Sequence, residues 1–153
     1  MGNNGIKTEA LQKSKANVLH LTPYNSYPSL ISASAGKRRE YLDYAKSHSG
    51  FIIEDNYDSE LTVSKKHEET LFSLTENDNV IYINTFSKTI SPSFRVAYMV
   101  LPEGILKKYE SELGFYSCTV PTYMQLVITE LITSGAFERH INRVRREKRK
   151  QLQ

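Results

Sequence analysis

One cysteine, Cys118, stands alone among 153 residues, so no intramolecular disulfide can form and a reducing, cytoplasmic setting is expected. The histidines, His20, His48, His67 and His140, are scattered without metal-ligand spacing, which argues against a His/Cys metal site. No apolar run approaches the ~20 residues that span a bilayer. The first residues also lack the basic-then-apolar pattern of a secretory signal. An excess of one charge is missing as well: 20 Lys and Arg against 17 Asp and Glu leave +3, too little to demand a nucleic-acid partner. Internal repeats and low-complexity tracts are absent.

What is present is the composition of an ordinary globular chain, 39% hydrophobic and 24% charged. A compact chain of this size buries roughly 70% of the surface its unfolded form exposes, enough for one core. Residues 17–21, 51–54, 80–84 and 95–101 are rich in Val, Ile, Leu, Tyr or Phe and read as strands. The run Phe51-Ile52-Ile53 lacks polar alternation, which predicts a sheet covered on both faces.

Between the first two strands, residues 35–48 place Tyr41, Leu42 and Ala45 on one side, and Ser49-Gly50 supplies a helix stop. Further helices are expected over 104–113, 121–133 and 137–152, the second apolar enough to be buried. The last carries a stripe of Phe137, Ile141, Val144, Lys148 and Leu152. Its basic face, from Arg139 to Lys150, reads as a solvated helix face in preference to a DNA contact, and Lys65-Lys66-His67-Glu68-Glu69 as an exposed charged loop. The link from Asn84 to Arg95 is too short for a helical crossover, so the fourth strand should run antiparallel to the third. The fold class is therefore α/β, a partial, mostly parallel sheet with one antiparallel strand and flanking helices.

Open sheets of this kind bind ligands beyond the carboxyl ends of their parallel strands, where Asp55 and the segment Thr85 to Lys88 fall. Lys88 lies in Thr85-Phe86-Ser87-Lys88-Thr89-Ile90-Ser91-Pro92-Ser93-Phe94-Arg95, a hydroxyl-rich loop ending in an arginine, with donors for a phosphate. A lysine attacks an aldehyde only as the neutral amine, a form that burial or a neighbouring cation favours. Asp55 ends an apolar strand, and a carboxylate there can hold a proton on a heterocyclic nitrogen while the phenol of Tyr57 bonds a ring oxygen. The blander alternatives are a surface lysine in a Ser/Thr loop and an acidic tract, Glu54 to Glu60, that merely solvates a turn.

The tracts Ile53-Glu54-Asp55-Asn56-Tyr57-Asp58-Ser59-Glu60 and Thr85 to Tyr98 closely resemble the aminotransferase-like domain of MocR/GabR-type regulators, of the GntR family. Thr22-Pro23-Tyr24-Asn25-Ser26-Tyr27-Pro28-Ser29 and Glu138 to Arg146 extend the resemblance over nearly the whole chain. Asn25 and Ser26 stand where that family has His and Gln, and Leu30 where it has glycine. The resemblance implies the large domain of a pyridoxal 5'-phosphate (PLP) dependent, fold-type I protein. Lys88 would hold the cofactor as a Schiff base, Asp55 would pair with the pyridine nitrogen, Tyr57 would reach the ring hydroxyl, and Ser87 and Arg95 would bind the phosphate.

It further implies a homodimer, an amine or amino-acid effector, and DNA binding through a winged-helix domain outside this chain. The organisation expected is a partial PLP-binding large domain over 1–136, then over 137–153 the start of a basic helix leading to a small domain. With much of the cofactor enclosure elsewhere, the chain alone is expected to bind PLP weakly or not at all and to self-associate. The alternative activity is that of a class I/II aminotransferase, transferring an amino group to a keto acid.

Overall fold

The computed structural model describes residues 2–26, 28–57, 59–61 and 69–151, so most of the charged loop expected at 65–69 lies outside the described residues. Strands β1 (Val18–Leu21), β2 (Phe51–Asp55), β3 (Val80–Thr85) and β4 (Ala97–Val100) form one sheet in that spatial order. The first three run parallel, while β4 pairs antiparallel with β3, Tyr82 facing Val100 and Thr85 facing Ala97. The short β3–β4 link dictates that reversal, as its length implied.

Seven helices accompany the sheet among the described residues: α1 (Thr8–Lys13), α2 (Ala35–Ser47), α3 (Leu71–Leu74), α4 (Phe86–Thr89), α5 (Glu103–Leu113), α6 (Thr122–Thr133) and α7 (Ala136–Gln151). Helix α2 starts at an N-cap, where the Ser34 side chain accepts the Lys37 amide at 3.3 Å. At its far end the amides of Ser49 and Gly50 return to the carbonyls of Lys46 and Ala45, satisfying groups the helix leaves open. Ser49, not the glycine, takes the left-handed conformation, at φ 48°. Gly50 serves close approach instead, because a Cβ there would sit 2.6 Å from the Asn17 carbonyl oxygen. The Phe51 amide donates to that same oxygen at 2.8 Å, which sets β2 beside β1.

Alternation then sorts the side chains. Leu19, Leu21, Ile52 and Val80 point to one face and pack on Leu11, Tyr41, Tyr44, Ala45 and Leu71 from α1, α2 and α3, making the core. Burying aliphatic side chains of this size stabilises by about 1.5–3 kcal/mol each. The tyrosines bring their own partners: the Tyr41 hydroxyl accepts the Ile6 amide at 2.8 Å, and the Tyr44 hydroxyl reaches the Ser14 and Ala16 carbonyls.

Two expectations of burial need correction. The opposite sheet face is not covered throughout: Val18 and Phe51 stay 50% and 39% exposed, in a groove of about 600 Å³ shared with Ile53, Ile81, Ile105, Tyr109 and Leu113. Missing alternation showed that both faces are apolar; it could not show that both have a partner. Helix α6 is likewise not buried, with only Ile128 enclosed while Tyr123, Leu126, Val127 and Ile132 lie open. Segment hydropathy measures how apolar a helix is, whereas burial depends on what packs against it.

Helix α7 follows its expected stripe in part. Ile141 is buried and Phe137 and Val144 half-buried, but Lys148 is exposed, and Leu152 lies outside the described residues. His140, three residues from Phe137 and four from Val144, and Arg145, four from Ile141, complete the inner side. The Arg145 guanidinium donates to the Glu60 carbonyl, fastening α7 to the turn after β2.

Candidate functional site

Lys88 does not lie in an irregular loop but in the helical turn α4, directly beyond β3. Thr85 makes the transition. Its hydroxyl accepts the Ser87 amide and donates to the Val96 carbonyl, both at 3.1 Å, while the Phe86 amide also bonds Val96 O at 2.9 Å. The turn is braced from α7: His140 Nε2 donates to the Thr89 carbonyl at 2.9 Å, and Phe137 meets Phe86 edge-to-face at 5.9 Å. Four residues alone would not hold a helix in water. Here the brackets on either side do so, leaving Lys88 exposed with its amine 5.9 Å from the centre of the Tyr57 ring, within reach of a cation–π attraction.

Asp55 is the last residue of β2, and Tyr57 turns away two positions on. The Tyr57 hydroxyl donates to the Asn25 carbonyl at 2.8 Å, tying this turn to the loop after β1. Asp55 Oδ2 contacts His20 Nε2 at 3.3 Å, so β1 also contributes to the site through a histidine that residue-type reasoning had set aside as scattered. Its signal was present only as strand parity: His20 and Asp55 fall on the same sheet face. Among the described residues, Asp55 Oδ1 has no protein partner.

The acidic tract does more than solvate a turn. Glu54 is fully buried, and its carboxylate accepts the amides of Leu71 and Phe72 at 3.0 and 2.9 Å, at the start of α3. Burial pushes its pKa up, and those amide bonds oppose the shift. Glu60 accepts Asn84 Nδ2 at 2.6 Å and is also pushed up, by burial first. Tyr98, half-buried on β4, is raised mainly by burial and then by Tyr82 and Glu60.

The structure thus brings Asp55, Tyr57, Ser87 and Lys88 to the carboxyl ends of β2 and β3. Arg95 sits farther along, exposed, after the 3-10 turn Pro92–Phe94, and makes no hydrogen bond or ion pair to the other four. Its backbone is left-handed, φ 48° and ψ 34°, an uncommon state for a residue with a Cβ. Such outliers gather at ligand sites. An amine, a carboxylate with one oxygen open and hydroxyls at this edge, with a guanidinium farther along the chain, suit PLP, with its aldehyde, ring nitrogen and phosphate.

The loop after β1 carries strain of the same kind. Asn25 has φ 55° and Leu30 φ 54°, the latter where the resembling family has glycine. Left-handed backbone costs a non-glycine residue about 1–2 kcal/mol, part of which glycine returns as extra freedom in the unfolded chain. Leu30 is 67% exposed and loses little packing. Leu30→Gly is therefore expected to stabilise the fold by about 0.5–1 kcal/mol in urea denaturation; a destabilised variant would show that the leucine side chain, not its backbone, matters there.

No family model matches the chain. Among curated proteins it is 34% identical over 146 residues to YdeL of Bacillus subtilis, described as an uncharacterized HTH-type transcriptional regulator, covering 95% of this chain and 32% of YdeL. It is 27% identical to the "probable rhizopine catabolism regulatory protein MocR" of Rhizobium meliloti, over 94% of this chain and 29% of that one. The curated relatives that match nearly the whole chain include HTH-type transcriptional regulators and aminotransferases. The chain spans about a third of the length of these regulators. Its fold is that of the PLP-dependent aminotransferases: the kynurenine aminotransferase of Pyrococcus horikoshii, solved with PMP, superimposes with a TM-score of 0.81 at 27% identity, over 95% of this chain and 38% of that enzyme. No helix among the described residues is long and apolar enough to cross a membrane.

Proposed function

We propose that this chain carries the lysine-bearing side of a PLP site in a MocR-type regulator whose aminotransferase-like domain senses an amine or amino acid. Asp55, Tyr57, Ser87, Lys88 and Arg95 are its cofactor residues. The observation that carries the reading is the gathering of Asp55, Tyr57 and Lys88 at the carboxyl ends of two parallel strands, with the Lys88 amine beside the Tyr57 ring.

Bound there, PLP would supply an electron sink and an aldehyde that reacts with amines. Lys88 provides the amine for covalent attachment. Asp55 Oδ1 holds a proton on the ring nitrogen, Tyr57 meets the ring hydroxyl, and Ser87 and Arg95 take the phosphate. Residues 1–136 belong to the PLP-binding large domain, and residues 137–153 begin the basic helix toward a small domain. The regulator works as a cytoplasmic homodimer, and DNA binding belongs to a winged-helix domain, in keeping with relatives described as HTH-type regulators. By itself the chain binds PLP weakly and self-associates, because its donors stand on one side of the ligand and apolar surfaces such as that of α6 lie open.

Borohydride reduction of the PLP-loaded full-length protein, followed by peptide mass mapping, tests the site. A pyridoxyl adduct on Lys88 is expected, and an adduct on another lysine would refute the assignment. The aminotransferase reading draws on the fold match to kynurenine aminotransferase. Amino-group transfer from a panel of amino acids to a keto acid separates the two: the sensor reading expects a spectral response to its effector without turnover.

A further inference from the structure

His20 is the third residue of β1 and stands opposite Ile53 of β2. Alternation puts it on the same sheet face as Asp55, two residues further along the neighbouring strand. Its Nε2 lies 3.3 Å from Asp55 Oδ2, with the imidazole 62% exposed and the carboxylate 32% exposed. So open an imidazole is not there for packing. An exposed pair of this kind also adds little to folding. What the contact does is geometric: a strand-end carboxylate turns freely about its last torsion, and a hydrogen bond to one oxygen aims the other.

Oδ2 is taken by His20, while Oδ1 has no partner among the described residues and stays available to a ligand. We infer that His20 is a positioning residue that orients Asp55 toward a protonated heterocyclic nitrogen, an inference that rests on the cofactor role proposed above for Asp55. The contact works with either form of the imidazole, since the neutral Nε2–H tautomer and the imidazolium both donate from Nε2. His20 touches no cofactor atom in this account and acts through Asp55 alone.

The test compares, in the full-length protein, dissociation constants for PLP and for its 1-deaza analogue, in which C–H replaces the ring nitrogen. The wild type should prefer PLP. His20→Ala should reduce that preference about three- to tenfold, as expected for one lost hydrogen bond of ordinary strength in a solvent-exposed pair, with analogue affinity and apo-protein melting temperature unchanged. His20→Gln, which keeps a donor, should recover most of the loss. In an Asp55→Ala background, removing His20 should change nothing. An equal loss of affinity for both ligands, or an effect that survives without Asp55, overturns the inference. If Asp55→Ala abolishes the preference but His20→Ala leaves it intact, only the role of His20 is wrong. A wild type that does not distinguish the two ligands overturns the Asp55 assignment, and the inference with it.

Discussion

Lys88→Ala in the full-length protein should abolish covalent capture of PLP and weaken its binding about a hundredfold, ~2.7 kcal/mol. The lysine is exposed, and its turn is held by Thr85, Val96, Phe137 and His140, none of which needs the Lys88 side chain. The melting temperature of the apo protein should therefore stay where it is, which separates loss of the ligand from loss of the fold. Lys88→Arg sharpens the test, because it keeps a cation near Tyr57 but offers no amine that becomes neutral. Both variants should lack the reducible adduct. An adduct of wild-type yield in either would mean that another amine holds the cofactor.

Glu54→Ala should cost about 2–4 kcal/mol of folding stability, read from urea midpoints at constant slope. The carboxylate is fully buried and is the acceptor for two amides at the start of α3, whose Leu71 is itself part of the core. Truncation leaves both amides unmet and opens space beneath the helix. Glu54→Gln keeps one acceptor oxygen and should cost less.

Their pH dependence provides a second reading of the same group. Burial raises the Glu54 pKa above its ordinary 4.5, so the stability tied to its protonated form is fully present below that value and is lost as pH rises through the raised pKa. Glu54→Gln cannot titrate, so the gap between wild type and this variant should narrow as pH rises through that window. A gap independent of pH would show that the buried carboxyl keeps an ordinary pKa. Glu40, lowered chiefly by its hydrogen bond to Lys37, acts in the opposite direction and is common to both proteins, so it drops out of the difference.

The strands and the long helices were legible because apolar runs and three-to-four-residue spacing are local properties. Every expected strand and every helix of ten residues or more lies within two or three residues of its expected bounds. The helices α1, α3 and α4 leave no clear periodic signal in the sequence, since four to six residues hold too little of a helical period to register. They exist through partners distant in sequence: α3 through Glu54, seventeen positions before Leu71, and α4 through His140, fifty-one positions after Thr89.

For the site, residue type and strand-end position singled out Asp55, Tyr57 and Lys88, and resemblance to the regulators supplied their proposed roles. The sequence by itself determined the α/β class, the antiparallel return of β4 and the reactive groups that lie at the strand ends, because each follows from local composition or the length of a link. Only the tertiary structure decided that Glu54 is a buried cap and not a solvating charge, and that α6 lies open. It alone set His20 beside Asp55, because sheet register and helix docking bring together groups whose separation along the chain carries no trace of their contact.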